Sequence, residues 1–104
     1  MVKEFSKQTL NDEIAKGSVI VLDFYAVWCG PCHSFESTFL QVAADMKDKA
    51  IFGKVNIDEH RDIAITYRIA SIPTILIIKA GEVVWQHIGT VDGSVLKNKI
   101  NALD

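Results

Sequence analysis

The sequence has 104 residues, of which 49% are hydrophobic and 23% are charged, and its formal net charge is −2. This composition excludes a disordered or collagen-like chain, and the length predicts a single domain over residues 1–104. The slight negative charge provides no basic surplus for phosphate backbones, so nucleic acid is not an expected partner. The sequence has no apolar run of the roughly 18 residues that a membrane-spanning helix needs, so no membrane partner is expected.

The first half of the chain alternates between predicted helices and strands. Residues 9–16 predict a short helix that Ser6 or Thr9 caps. Residues 19–26 are a continuous apolar run broken by Asp23, which is typical of a strand buried on both faces. From Pro31 onward, apolar side chains recur at helical spacing for about four turns. They are Phe35, Phe39, Val42, Ala43 and Met46.

The second half predicts a β-hairpin between two further helices. Three segments have strand character; they are residues 50–57, 74–78 and 83–88. Residues 58–67 predict a weaker helix, and Asp92 is expected to cap the last one. The Ile72–Pro73 step is a break, because a residue that precedes proline avoids helical backbone angles. The buried side of the last helix is predicted to carry Leu96, Ile100 and Leu103.

The predicted order of elements is β-α-β-α-β-α-β-β-α, with residues 2–5 as a short N-terminal edge strand. Strands that are joined through helices are expected to pair in parallel, and the hairpin adds an antiparallel pair. The sequence therefore predicts an α/β fold. Its mixed central sheet has three parallel-connected strands, a C-terminal hairpin and the edge strand, with four helices on its two faces.

Two cysteines, Cys29 and Cys32, carry the clearest indication of chemistry. They are too few for a disulfide scaffold, and they lie between a buried strand and an amphipathic helix. Cys29 falls at the helix N-terminus, where free N–H groups and the helix dipole stabilise a thiolate. Cys32 lies one turn further, more shielded but close enough for a short disulfide, and Gly30 and Pro31 keep that ring tight. An exposed, readily ionised thiol beside a resolving thiol is what disulfide exchange requires.

Two other roles for this pair stay open. The pair is half of a zinc site if histidines complete it, but His33, His60 and His87 form no second closely spaced pair. A purely structural disulfide is the other alternative, although a two-residue loop removes little entropy from the unfolded chain. A redox pair is favoured over both.

Five motifs in the same order resemble the thioredoxin family. They are residues 28–32 (WCGPC) preceded by 23–26 (DFYA), then 54–58 (KVNID), 72–74 (IPT), 79–82 (KAGE) and 88–89 (IG). The resemblance covers essentially the whole chain and implies a thioredoxin fold. It also implies a dithiol–disulfide oxidoreductase that reduces protein disulfides, with Cys29 as the nucleophile and Cys32 as the resolving thiol. No bound cofactor is then expected, and a thioredoxin reductase that uses NADPH restores the dithiol.

The resemblance assigns a role to one buried charge. Asp23 matches the family's buried aspartate, which implies a proton acceptor for Cys32 that Lys54 tunes. From the residues alone, Asp23 is equally a satisfied core carboxylate paired with Lys54. Lys54 itself has a second interpretation, as a surface lysine whose stem lies along apolar groups.

The resemblance also implies a surface for the substrate. Trp28 is expected to be part of a substrate platform rather than of the core. The Ile72–Pro73 peptide bond is expected to be cis and to face the cysteines, where the Ile72 backbone binds an extended substrate segment. The expected substrate-binding residues are Trp28, Ile57, Ile72, Pro73, Ile88 and Gly89. For the isoleucines, ordinary core packing is the alternative.

Two other functions remain as alternatives to a reductase. One is a binding module that holds a partner on the same apolar surface, and the other is a disulfide oxidase or isomerase in an oxidising compartment. Pro31 adds no positive charge between the cysteines, and residues 1–5 lack the features of a signal peptide, so a cytoplasmic reductant is favoured. Nothing in the sequence indicates an obligate dimer, and a monomer is expected.

Overall fold

The computed structural model describes residues 2–103, which form one five-stranded sheet covered by four helices. The strands are β1 (Val2–Glu4), β2 (Ile20–Tyr25), β3 (Ile51–Asn56), β4 (Thr74–Lys79) and β5 (Glu82–Ile88). The helices are α1 (Lys7–Ala15), α2 (Gly30–Asp45), α3 (Arg61–Thr66) and α4 (Gly93–Asn101). The predicted α/β fold and the predicted order of elements are confirmed. None of the helices within residues 2–103 is long and apolar enough to cross a membrane.

Local sequence explains where the helices begin. Ser6 is the N-cap of α1, and its hydroxyl accepts a hydrogen bond from the N–H of Thr9. The Thr9 hydroxyl accepts one from the N–H of Ser6 in return, so both predicted capping residues take part. Pro31 lies in the first turn of α2, where its missing N–H leaves no bond unmade. Asp92 precedes α4 as predicted, although its carboxylate makes no capping hydrogen bond.

Helix α3 is shorter than predicted, since it covers Arg61–Thr66 rather than residues 58–67. The side chain of Asn56 explains the later start. Its amide oxygen accepts hydrogen bonds from the N–H groups of Asp58 at 2.9 Å and Glu59 at 3.3 Å. These bonds hold the chain in a turn after β3, which competes with helix formation.

The strand order is β1-β3-β2-β4-β5. β1 and β2 are parallel to β3, whereas β4 is antiparallel to β2 and β5 is antiparallel to β4. The expectation that strands joined through helices are parallel is therefore wrong for β4. The six residues of α3 span about 9 Å, whereas the six residues of β3 span about 20 Å. Helix α3 alone therefore does not carry the chain back along β3, and Thr74 enters opposite Phe24, near the end of β2.

The two faces of the sheet carry two hydrophobic clusters. One cluster packs under α2 and α4 and includes Val21 and Ile77. The other packs under α1 and α3 and includes Leu22 and Phe24. Successive side chains of a strand point to opposite faces. Asp23 therefore points to the same face as Val21, the face that α2 covers.

Candidate active site

The two cysteines lie where β2 passes into α2. Cys29 is the N-cap residue of α2, with extended backbone angles, and its Sγ accepts a hydrogen bond from the N–H of Cys32 at 3.2 Å. The N–H of Cys29 donates to the carbonyl of Ala26 at 3.2 Å, which closes the connection after the strand. Free N–H groups at a helix start stabilise negative charge. This geometry therefore favours a thiolate on Cys29.

A disulfide joins Cys29 to Cys32, with their Cα atoms 5.3 Å apart. The cysteines are 5% and 4% exposed, respectively, and pack with Ala26 in a small apolar cluster. The expectation that Cys29 is exposed is wrong for this oxidised form, because Ile57 and Ile72 pack against the cluster. The disulfide that the spacing predicted is confirmed.

The loop before β4 approaches the disulfide from the other side. The Ile72–Pro73 peptide bond is cis, as expected, and the carbonyl oxygen of Ile72 lies 3.9 Å from the Sγ of Cys29. The N–H of Gly89 donates to the carbonyl of Pro73 at 2.7 Å, which ties the end of β5 to this loop. Ile57 and Ile72 pack against the cysteine cluster, whereas the side chain of Ile88 is exposed.

Trp28 lies on the surface next to the cysteines, since its side chain is 68% exposed. Core packing, the alternative for this residue, is therefore excluded. Its indole N–H donates to Oδ2 of Asp58 at 2.9 Å, which fixes the position of the ring. This role of Asp58 was not predicted from the sequence. The only indication was its place two residues after β3, at the edge where β2 also ends.

Asp23 is a buried carboxyl group on the face that α2 covers. Its Oδ1 has no hydrogen-bond partner in the part of the chain that the structure describes. Burial raises the pKa of Asp23 to about 7, while the charge of Lys54 acts in the opposite direction and those of Glu36 and Glu4 add to the rise. The group therefore has the proton affinity that acid–base chemistry near neutral pH needs.

Lys54 lies beside Asp23 in the β2–β3 pairing, but its ammonium binds a different carboxylate. It forms a salt bridge with Glu36 of α2 at 2.8 Å and lies 4.1 Å from the centre of the Tyr25 ring. The lysine side chain is only 15% exposed, so most of its stem is covered by protein while its ammonium reaches the half-exposed Glu36. The expected direct pairing with Asp23 is absent among residues 2–103. Lys54 acts on Asp23 only through its positive charge, which lowers the pKa of the carboxyl. Glu36 lies four residues after Cys32, on the same side of α2, which was the only indication of its position.

The histidines do not complete a metal site around the cysteines. His33 is exposed, and its Nε2 lies 2.6 Å from the carbonyl oxygen of Val27. His87 makes a comparable contact with the carbonyl of Thr90 at 2.9 Å. Within residues 2–103, no three or more histidine, cysteine, aspartate or glutamate side chains come together where they could hold a metal ion.

Comparison with known proteins agrees with this geometry. The sequence profile of the family described as Thioredoxin matches residues 1–102. The thioredoxin of Chlamydia pneumoniae is 42% identical over 101 residues and that of Chlorobaculum thiosulfatiphilum is 41% identical over 99 residues. These matches cover 97% of both chains in the first case, and 95% of this chain and 88% of the relative in the second.

A solved structure gives the same result for the fold. The thioredoxin of Plasmodium falciparum superposes on this chain with a TM-score of 0.88 at 29% sequence identity, covering 99% of this chain and 100% of the other. The family match spans nearly the whole sequence, and the Cys29–Cys32 disulfide lies at the start of α2. The chain belongs to the thioredoxin family, and it is a thiol–disulfide oxidoreductase whose redox pair is Cys29 and Cys32.

Proposed function

We propose that Cys29 is the nucleophile and Cys32 the resolving thiol in the reduction of protein disulfides. The observation that carries this assignment is the N–H of Cys32, which donates to the Sγ of Cys29 at the first turn of α2. A donor in that position lowers the free energy of the Cys29 thiolate, and the thiolate is the form that attacks.

The reaction then takes two exchanges. The Cys29 thiolate attacks one sulfur of the substrate disulfide, forms a mixed disulfide and releases the other substrate sulfur as a thiolate. Cys32 loses its proton and attacks the Cys29 sulfur. The second substrate thiol leaves, and the Cys29–Cys32 disulfide remains. Two electrons pass from the protein to the substrate, which balances the reaction.

Asp23 is the proposed proton acceptor for Cys32 in the second exchange. Its support is position and proton affinity: the buried carboxyl lies on the face of the sheet that α2 covers, and its pKa is about 7. Lys54 and Glu36 tune it in opposite directions through their charges. A base with this pKa accepts and returns a proton at little cost near neutral pH.

The proposed substrate-binding surface surrounds Cys29. Trp28 and Ile88 expose apolar side chains there, and the Ile72 backbone precedes β4 without being part of its ladder. An extended substrate segment would bind beside that backbone as an added strand. Apolar contact is proposed from the following residues: Trp28, Ile57, Ile72, Pro73, Ile88 and Gly89.

Each turnover leaves the protein oxidised, so the next one requires two electrons from outside the chain. Membership of the thioredoxin family supports a thioredoxin reductase that uses NADPH as their source. We place the protein in the cytoplasm, because that compartment keeps thiols reduced. We also propose that it acts as a monomer on single substrate proteins.

Reduction of insulin disulfides with NADPH and a thioredoxin reductase tests the proposal. The Cys29→Ser variant should show only background turnover, and turnover near that of the wild type would refute Cys29 as the nucleophile. The Cys32→Ser variant should instead trap substrates as stable mixed disulfides on Cys29. The double variant is the matched control and should trap none. A biological role that survives in the double variant would indicate a binding module instead.

A further inference from the structure

An open groove of about 380 Å³ lies between the end of β3 and helix α3. Its apolar lining includes Ile57, Ile65 and Ile69. The side chain of Ile65 is 75% exposed, the highest value of any large apolar side chain within residues 2–103. Exposed apolar surface beside a reactive group commonly marks a site of contact with another molecule.

The groove also carries positive charge. Arg61 and Arg68 line it, and neither guanidinium has an ion-pair partner in residues 2–103. Asp58 is the one acidic residue of the lining, and its carboxylate accepts the indole N–H of Trp28. The groove lining therefore has a net charge of about +1 on a chain whose net charge is −2, which favours an acidic occupant.

The backbone of Arg68 gives an independent observation. Its φ is 55°, in the left-handed region where glycine is favoured and an arginine is strained. This conformation ends α3, because the N–H of Arg68 donates to the carbonyl of Ile65 at 3.1 Å, and glycine is the usual residue at such a helix end. Here the strained residue is one of the two that give the groove its positive charge.

The groove is continuous with the redox pair. Ile57 lines the groove and also packs against the cysteine cluster, and Asp58 lines it and also holds the Trp28 ring. A substrate chain whose disulfide reaches Cys29 therefore has its flanking residues beside α3. An apolar side chain of that segment fits the isoleucine lining, and a neighbouring carboxylate fits an arginine.

We propose that this groove binds the segment flanking the substrate disulfide and selects segments that combine an apolar side chain with Asp or Glu. This selectivity rests on the proposed function and adds a substrate class to it. The contribution of each arginine is that of an exposed ion pair. It amounts to about a two- to five-fold preference, and added salt reduces it.

Three synthetic peptides test the selectivity. They share one intramolecular disulfide and one flanking leucine, and the residue next to the leucine is Glu, Gln or Lys. Each peptide is mixed with the dithiol form of the protein, and tryptophan fluorescence follows a single turnover. We expect the second-order rate constant to fall in the order Glu, Gln, Lys, with a smaller spread at high ionic strength.

The Arg68→Gly variant should lower the ratio of the Glu to the Gln rate constant by about two- to five-fold. The same substitution should raise Tm, because glycine adopts this φ without strain. If Arg68→Gly loses the preference for the Glu peptide while its Tm rises, the loss reflects weaker binding in the groove and not a less stable fold. Lys47→Gln is the matched control: it removes one positive charge just past the far end of α2 and should leave the ratio unchanged.

Two results would overturn the proposal. Equal rate constants for the Glu and Gln peptides, or an unchanged ratio in Arg68→Gly, would refute selection by the groove and leave the redox assignment standing. Failure to reduce any of the three peptides would refute the proposed function, and the selectivity of the groove with it.

Discussion

Replacing Asp23 by asparagine should change how the stability of the oxidised protein depends on pH. The carboxyl ionises near 3.8 in the unfolded chain, and burial raises its pKa to about 7 in the folded protein. Between these values the folded protein holds a proton that the unfolded chain releases. A rise in pH therefore favours unfolding in this window. The stabilising effect of the bound proton is complete below about pH 4 and is lost as pH rises through about 7.

The size of the effect follows from the same two values. A tenfold change in proton affinity corresponds to about 1.4 kcal/mol, so a rise in pKa from 3.8 to about 7 corresponds to about 4 kcal/mol. Asparagine does not ionise, so the variant should lack this part of the pH dependence. At pH 8 the free energy of unfolding of the variant should exceed that of the wild type. The difference should be smaller than the full effect of the pKa shift, because the buried amide is also incompletely hydrogen-bonded.

Urea unfolding of the oxidised proteins between pH 3.5 and 8.5, followed by tryptophan fluorescence, measures the difference. The disulfide prevents the cysteines from titrating during the experiment. Asp48→Asn, at an exposed position, is the matched control and should follow the wild type. Parallel pH profiles for wild type and Asp23→Asn would show that the Asp23 carboxyl does not hold a proton near neutral pH. They would remove the basis for its role as proton acceptor.

Three further substitutions have distinct expected outcomes. Asp23→Ala should slow resolution of the mixed disulfide more than its formation, and stopped-flow kinetics that slow both steps equally would contradict proton transfer to this residue. Glu36→Gln removes a negative charge near Asp23 and releases the Lys54 ammonium, so the Asp23 carboxyl should titrate at lower pH in an NMR titration. An unchanged midpoint would exclude tuning by Glu36. Gly53→Ala places a Cβ against the ring of Phe5 and should lower the free energy of unfolding by about 1–3 kcal/mol. An unaltered urea midpoint would show that the ring moves aside without cost.

The position of the redox pair was predictable because its determinants are local. Pro31 favours the first turn of a helix, and the apolar spacing that follows fixes the side of α2 that packs on the sheet. Cys29 then falls at the N-cap without any information from distant parts of the chain. The hairpin turn was predictable for the same reason, and Ala80 and Gly81 adopt positive φ there.

The partner of Lys54 was not predictable, because it depends on how α2 packs against β3. The sequence placed one carboxyl, Asp23, beside the lysine and gave no distance to Glu36. Packing brings Glu36 to 2.8 Å from the ammonium, and solvation favours this pairing over one with Asp23. Glu36 is half-exposed and ionises at little cost, and its salt bridge to Lys54 keeps its pKa below the ordinary value. Asp23 is buried, so its ionisation would cost more hydration free energy than the attraction of the lysine would return.

The direction of β4 was the main error in the predicted fold, and it is also what assembles the site. Because β4 starts at the edge where β2 ends, the residue pair before it, Ile72–Pro73, lies beside Cys29. A β4 parallel to β2 would begin at the opposite edge, about 20 Å away for a six-residue strand. The loop would then be out of reach of the sulfur. β5 returns from the hairpin turn to the same edge, where Gly89 bonds to Pro73. The reversal at β4 thus gathers the start of α2, the start of β4 and the end of β5 around one disulfide.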